Sequence, residues 1–238
     1  MNLLAFDTST EIMSVAVQRR AAGSGQLPAV WLHNGPGGPQ TSALLIPTIQ
    51  QLLAQAELSL GQLDAIAFGC GPGSFTGLRT ACAVAQGLAF GAGIKVLPID
   101  TLLAVAEEAR FQHAANSERY QVMALLDARM DEMYAGRYIF SSEQWHLHEG
   151  HRLINPENLV CDDGWTLAGN VFAAYGARFA FNQAPRVEVL PTASALLRLA
   201  PALLAGGAAV RADQALPIYV RNKVAKTTAE RAAEKAAL

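Results

Sequence analysis

The chain has 238 residues, of which 51% are hydrophobic and 16% charged, and its formal net charge is −2. That balance excludes intrinsic disorder, which needs low hydrophobicity and high net charge, and it argues against a globally basic nucleic-acid binder. Three cysteines, Cys70, Cys82 and Cys161, have no metal-type spacing and cannot all pair internally, so a reducing, cytoplasmic setting is expected. The first ten residues lack the basic segment and apolar core of a signal peptide. The longest uncharged stretch in mid-chain, residues 80–94, holds glycines and a glutamine and is too short and polar to span a bilayer, so no membrane role is expected.

Leu3-Leu4-Ala5-Phe6 reads as a buried strand, ended by the turn-forming run Asp7-Thr8-Ser9-Thr10. Strands over residues 14–18 and 29–32 follow, separated by a turn at Gly23-Ser24-Gly25, and the three are expected to form an antiparallel meander. Residues 34–39, Asn-Gly-Pro-Gly-Gly-Pro, read as a mobile loop. Thr41 or Ser42 is expected to cap a helix running to about residue 58, with Leu45, Ile49, Leu52 and Ala56 at helical spacing. Pro47 is expected in its first turn, where a missing N–H costs nothing. Ala65-Ile66-Ala67-Phe68 is a fully buried strand, and a glycine-rich turn leads from it into a helix over residues 77–90. A strand over 95–99 and a helix over 102–110 complete a βββαβαβα order, which points to a layered α/β domain.

An internal repeat lies at an offset of 120 residues, with Ala5-Phe6-Asp7 matching Leu125-Leu126-Asp127. Further on, residues 65–69 parallel Trp165-Thr166-Leu167-Ala168-Gly169. Two matches in the same order argue for duplication of one α/β unit. The second copy lacks the glycine-rich turn, because Gly69-Cys70-Gly71-Pro72-Gly73 is answered only by Gly169-Asn170-Val171.

Three stretches could carry chemistry. The segment from Gly69 to Arg79 joins a strand to a helix, and its glycines permit close backbone approach to an anion at the helix start. It has no P-loop spacing and no lysine, and a plain tight turn with Thr76 as cap is the competing reading. Asp7-Thr8-Ser9 offers a carboxylate for hydrated Mg²⁺ and hydroxyls for phosphate oxygens, or simply an Asx-type turn. In the second half Asp127 is followed by Ala128-Arg129, which supply no hydroxyls. His146, His148 and His151 cluster, but a solvated hairpin explains them better than a metal site. Finally, the helix over residues 78–90 is small and apolar on more than one face, which suits a second contact surface beside its own sheet.

Residues 3–10, the run Gly71-Pro72-Gly73-Ser74-Phe75-Thr76-Gly77-Leu78-Arg79, the run Leu126-Asp127-Ala128-Arg129-Met130 and the run Pro217-Ile218-Tyr219-Val220-Arg221-Asn222 resemble the bacterial TsaB (YeaZ) family, in order over nearly the whole chain. The resemblance implies a duplicated two-lobe α/β fold of the actin-like ATPase and sugar-kinase kind, each lobe a mixed sheet with flanking helices. It implies an N-terminal lobe over residues 1–105, a C-terminal lobe over 106–214 and an arm over 215–238 that returns to the first lobe. It also implies a noncatalytic subunit that pairs with a TsaD-type paralogue and a TsaE-type ATPase in threonylcarbamoyl transfer to an adenosine beside the anticodon of tRNA, and that forms a homodimer when alone.

Catalytic and metal-ligating residues are therefore not expected. The paralogue's His-x-x-x-His metal pair has no counterpart here, and Gln40 stands where relatives often carry histidine. Candidate nucleotide-binding residues are Asp7, Thr8, Ser9, Gly71, Gly73, Ser74 and Thr76, with ATP or ADP and Mg²⁺ expected only in the complex. The partner surface is expected on the two first-lobe helices, at Leu45, Ile49, Leu52, Leu78, Ala81, Ala85, Leu88 and Ala89. A stand-alone ATPase or kinase is the alternative, and a peptidase the weakest one, since no Ser-His-Asp order is recognisable. The tail over residues 226–238 is expected to fray.

Overall fold

The computed structural model of the chain describes residues 1–20, 23, 26–180 and 183–220. The first sheet holds β1 (Leu3–Asp7), β2 (Ile12–Arg19), β3 (Ala29–Pro36), β4 (Ala65–Gly71) and β5 (Lys95–Asp100) in the order β3-β2-β1-β4-β5. β1, β2 and β3 form the expected antiparallel meander, while β4 and β5 run parallel to β1. The second sheet holds β6 (Arg119–Arg129), β7 (Glu132–Ser141), β8 (Gln144–Ile154), β9 (Thr166–Gly169) and β10 (Arg186–Glu188) in the order β8-β7-β6-β9-β10. Its pairings repeat those of the first sheet in sense and sequence. The expected duplicated two-lobe α/β architecture, each lobe a mixed sheet with flanking helices, is therefore present. The repeat read from sequence is two residues out in one strand, since Met123 lies opposite Leu167 rather than Trp165. A shift of two preserves which face each side chain takes, so the buried pattern survives it.

One face of the first sheet is covered by α1 (Thr41–Gln55) and α2 (Phe75–Ala92), which touch each other. Leu4, Phe6, Val15, Ile66 and Phe68 point from the sheet into that layer. The opposite face, Leu3, Ala5, Ala16, Ala65 and Ala67, is covered by α5 (Ala193–Ala205). Sequence order places α5 in the expected C-terminal lobe, yet its Ala193, Leu196, Leu197 and Ala200 pack on the N-terminal sheet, where small alanines let a helix lie close. α3 (Thr101–His113) is a shared wall: Ala104 faces the first sheet's core and Leu102, Val105, Ala106 and Ala109 face the second. In the second lobe the counterpart of α2 shrinks to one turn, α4 (Phe172–Tyr175).

Several local expectations change. Neither Thr41 nor Ser42 caps α1: its N-cap is Gln40, without a side-chain bond, because a 3-10 turn over Gly38–Gln40 runs directly into the helix. Pro47 therefore lies inside α1, and its missing N–H falls on the exposed side. The cap of α2 is Ser74, whose hydroxyl accepts from Gly77 N, rather than Thr76. Part of the loop expected over residues 34–39 is strand, since Asn34, Gly35 and Pro36 pair with Ser14, Met13 and Ile12. Residues 24–25 of the expected turn, and the tail over 226–238, lie outside the described residues.

The largest correction concerns the helix face. Leu45, Ile49, Leu52, Leu78, Ala81, Ala85 and Ala89 are buried in the chain's own lobe, and Leu88 packs against the same core half-buried. A stripe of alanines at i, i+4 is what lets α2 lie tightly on β4, so it turns inward. The outward strip of α2 carries Ala83, Gly87 and Phe90, the last 84% exposed, and Leu44 and Ile46 are exposed on opposite flanks of α1. Charge is scarce on this pair: α1 has none and α2 has only Arg79.

Candidate functional site

A cleft of about 520 Å³ opens between the lobes. Ser9, Thr10, Gly73, Ser74 and Phe75 wall it from the first lobe, and Leu126, Asp127, Arg129, Tyr134 and Asn170 from the second. Ile218, Tyr219 and Val220 border it as well. The expected glycine loop and both acidic turns thus meet at one place.

The two first-lobe turns are locked to each other. Asp7 ends β1 and is fully buried, and its Oδ1 accepts from Ser9 N at 2.9 Å and from Ser9 Oγ at 2.6 Å. The hydroxyl of Thr8 donates to the Gly77 carbonyl at 2.7 Å, and Ser74 N donates to the Ser9 carbonyl at 2.8 Å. Glycine is required where these segments touch: a Cβ at Gly77 would stand 1.9 Å from Thr8 O, and one at Gly73 2.6 Å from Ser9 Cβ. The Asx-type turn is thus present, with both hydroxyls engaged inside the protein. Burial outweighs the bonds from Ser9 and pushes the Asp7 carboxyl up to about 6.

The C-terminal segment completes the loop. Ile218 N donates to the Cys70 carbonyl at 2.7 Å, and Gln86 Nε2 donates to the Ala215 carbonyl at 2.8 Å. Gly71 has φ +120°, and a Cβ there would stand 2.5 Å from Ile218 O. At the cleft's edge Arg79 lies 4.0 Å over the Phe75 ring and donates through Nε to the Tyr219 hydroxyl at 3.1 Å. Sequence reading missed this contribution, because Arg79 and Tyr219 are 140 residues apart.

The second-lobe turn is built differently. Asp127 Oδ1 accepts from Arg129 N at 2.8 Å and from the Tyr175 hydroxyl at 3.0 Å, while Asn170 Oδ1 accepts from Asp127 N at 3.0 Å. Its one close-approach glycine, Gly169, would place a Cβ 1.7 Å from Leu125 O and so serves strand packing. Of the candidate nucleotide-binding residues, Ser9, Gly73 and Ser74 line the cleft, whereas Asp7, Thr8 and Gly71 are buried behind it and Thr76 is exposed outside it. These residues do not fit a resident Mg²⁺ at Asp7: its unpartnered Oδ2 is sealed against Gly69, where a Cβ would stand 1.8 Å away. Among the described residues no group of three or more His, Cys, Asp or Glu is arranged to hold a metal. His146 and His148 are exposed on the β7–β8 hairpin, His148 with its ring centroid 5.4 Å from that of Trp165, whereas His151 departs from the solvated-hairpin reading: it is partly buried and hydrogen-bonds Asp100.

The chain is 35% identical over 236 residues to the tRNA threonylcarbamoyladenosine biosynthesis protein TsaB of Haemophilus influenzae, covering 94% of this chain and 95% of that one. This chain belongs to the TsaB (YeaZ) family. The Escherichia coli TsaB is 32% identical, with 94% and 96% covered. The solved structure of YeaZ from Pseudomonas aeruginosa superposes with a TM-score of 0.79 at 37% identity, covering 92% of this chain and 99% of that one. The family model described as TsaD, tRNA N6-adenosine threonylcarbamoyltransferase, matches residues 38–237. Among the described residues of this TsaB-family chain, no helix is long and apolar enough to cross a membrane.

Proposed function

We propose that this TsaB-family chain is the noncatalytic subunit of a cytoplasmic tRNA-modifying assembly. It pairs with a TsaD-type paralogue and acts with a TsaE-type ATPase in threonylcarbamoyl transfer to the adenosine beside the tRNA anticodon. The observation that carries the reading is near-full-length similarity to proteins named for tRNA threonylcarbamoyladenosine biosynthesis. The cleft supports it: one glycine loop faces a second-lobe turn without hydroxyls or a phosphate cradle, a poor design for a stand-alone ATPase. Any ATP or ADP and Mg²⁺ belongs to the assembled complex.

The nearly uncharged pair α1 and α2 is the proposed partner surface, through Leu44, Ile46, Ala83, Gly87 and Phe90. The same strip serves a second copy when the chain is alone, as a four-helix contact. The test is co-purification with the paralogue, then tRNA modification with and without this chain, and ATP hydrolysis by the chain alone. Modification that proceeds equally without it, or robust hydrolysis by it alone, overturns the reading.

A further inference from the structure

Asp100 ends β5 in the first sheet and starts α3, where its Oδ1 accepts from Leu102 N at 2.9 Å. Its Oδ2 reaches the other lobe. It accepts from the hydroxyl of Tyr138 on β7 and lies 2.8 Å from Nε2 of His151 on β8. Tyr138 and His151 are themselves 3.1 Å apart. The adjoining Thr101 accepts from Gly71 N at 3.0 Å, so this junction is tied to the glycine loop whose Gly73 and Ser74 wall the cleft. We propose that Asp100, Tyr138 and His151 form a clasp between the lobes, which holds the interlobe cleft narrow while His151 is protonated and loosens when that proton leaves.

The surroundings single out His151 as the group that titrates. Tyr138 is 2% exposed, packed edge-on against Trp145, and burial and Asp100 push its hydroxyl well above the ordinary range. Behind Asp100, the Cys70 thiol on β4 is pushed up by burial and by Asp100, and Asp7 on β1 lies beyond it. On β8, Glu149 is bonded to Arg152 and faces Arg137 of β7. On α3, Glu107 and Glu108 are engaged by Arg110 and Arg198. The charge that meets His151 is thus that of Asp100.

The His151 side chain is 17% exposed, so its proton exchanges with solvent. The hydrogen bond to Asp100 raises its pKa above the ordinary 6.5 against an opposing effect of burial. The clasp's contribution is complete below 6.5 and is lost as pH rises through the elevated value. Above it the ion pair is gone, and at most a neutral N–H donor to the Asp100 carboxylate remains.

The test uses the full chain with Cys161→Ser and spin labels at Glu11→Cys and Met130→Cys, positions that line the cleft from the first and the second lobe. Pulsed dipolar spectroscopy from about pH 5.5 to about pH 9 reads the interlobe distance, and NMR reads the His151 imidazole over the same range. The expected result is a shift to longer distances whose midpoint coincides with the His151 titration, and a pH-independent distance in His151→Gln. A wild-type distance that does not change, a midpoint apart from that of His151, or the same response in His151→Gln overturns the proposal. Should the Gln variant not fold, the wild-type comparison of the two midpoints decides alone.

Discussion

Gly77→Ala is expected to destabilise the first lobe even though it replaces a helical glycine by the best helix former. Gly77 lies in the first turn of α2, and an added Cβ would stand 1.9 Å from the Thr8 carbonyl oxygen and 3.0 Å from its carbon. Those atoms are backbone, so relief requires the Asp7–Ser9 turn to retreat from α2 by about 1 Å, an overpacking cost of about 1–3 kcal/mol. That movement stretches the Thr8–Gly77 and Ser74–Ser9 hydrogen bonds, at 2.7 and 2.8 Å in the native structure. Each loss costs about 1 kcal/mol. Replacing glycine in a helix returns about 1 kcal/mol, which leaves a net loss of about 2–4 kcal/mol. Gly87→Ala, on the same helix with no atom within 4 Å of the added Cβ, is the control and gains about 0.5–1 kcal/mol. Urea unfolding of both variants reads the difference as opposite shifts of the midpoint. Equal stability of the two would refute the claim that the Asp7 turn and α2 are locked backbone to backbone.

Ala85→Glu is expected to unfold the first lobe, because the site is fully buried and an uncompensated interior charge costs about 3–5 kcal/mol. On the proposed partner surface, Leu44→Glu and Phe90→Glu are expected to keep the fold and to abolish pairing with the paralogue; circular dichroism and co-purification separate the two effects. Ionisation of Asp7 opposes folding, since its carboxyl is raised from 3.8 to about 6. The penalty is absent below 3.8, grows as pH climbs, and is complete above about 6, where it reaches about 3 kcal/mol. Asp7→Asn should therefore gain on wild type as pH rises through that window, and parallel stability curves would count against it. Ser74→Ala should cost about 0.5–1 kcal/mol as a lost cap, Thr76→Ala less than about half of that, both by thermal unfolding.

Much of the fold was legible along the chain. β1, β4 and β5 are short apolar runs bounded by turn residues, and the matching acidic ends Asp7 and Asp127 exposed the duplication. Local chemistry suffices for such features, because strand period, breakers and glycine spacing act over a few residues. The same is true of the Asp7-Thr8-Ser9 turn, whose bonds join neighbours. What only the tertiary structure decided was orientation. Spacing revealed apolar residues on more than one face of α2 but not which face meets the sheet; Ala81, Ala85 and Ala89 turn inward and Phe90 outward. Which stripe is buried depends on where β4 lies in space, a relation the helix's own sequence does not encode. The return of α5 to the first sheet, the closure of Ile218 over Gly71 and the meeting of Asp100 with His151 likewise join residues distant in sequence. Each is fixed by shape and by the pairing of buried polar groups after the chain has folded, and therefore leaves no periodic signal.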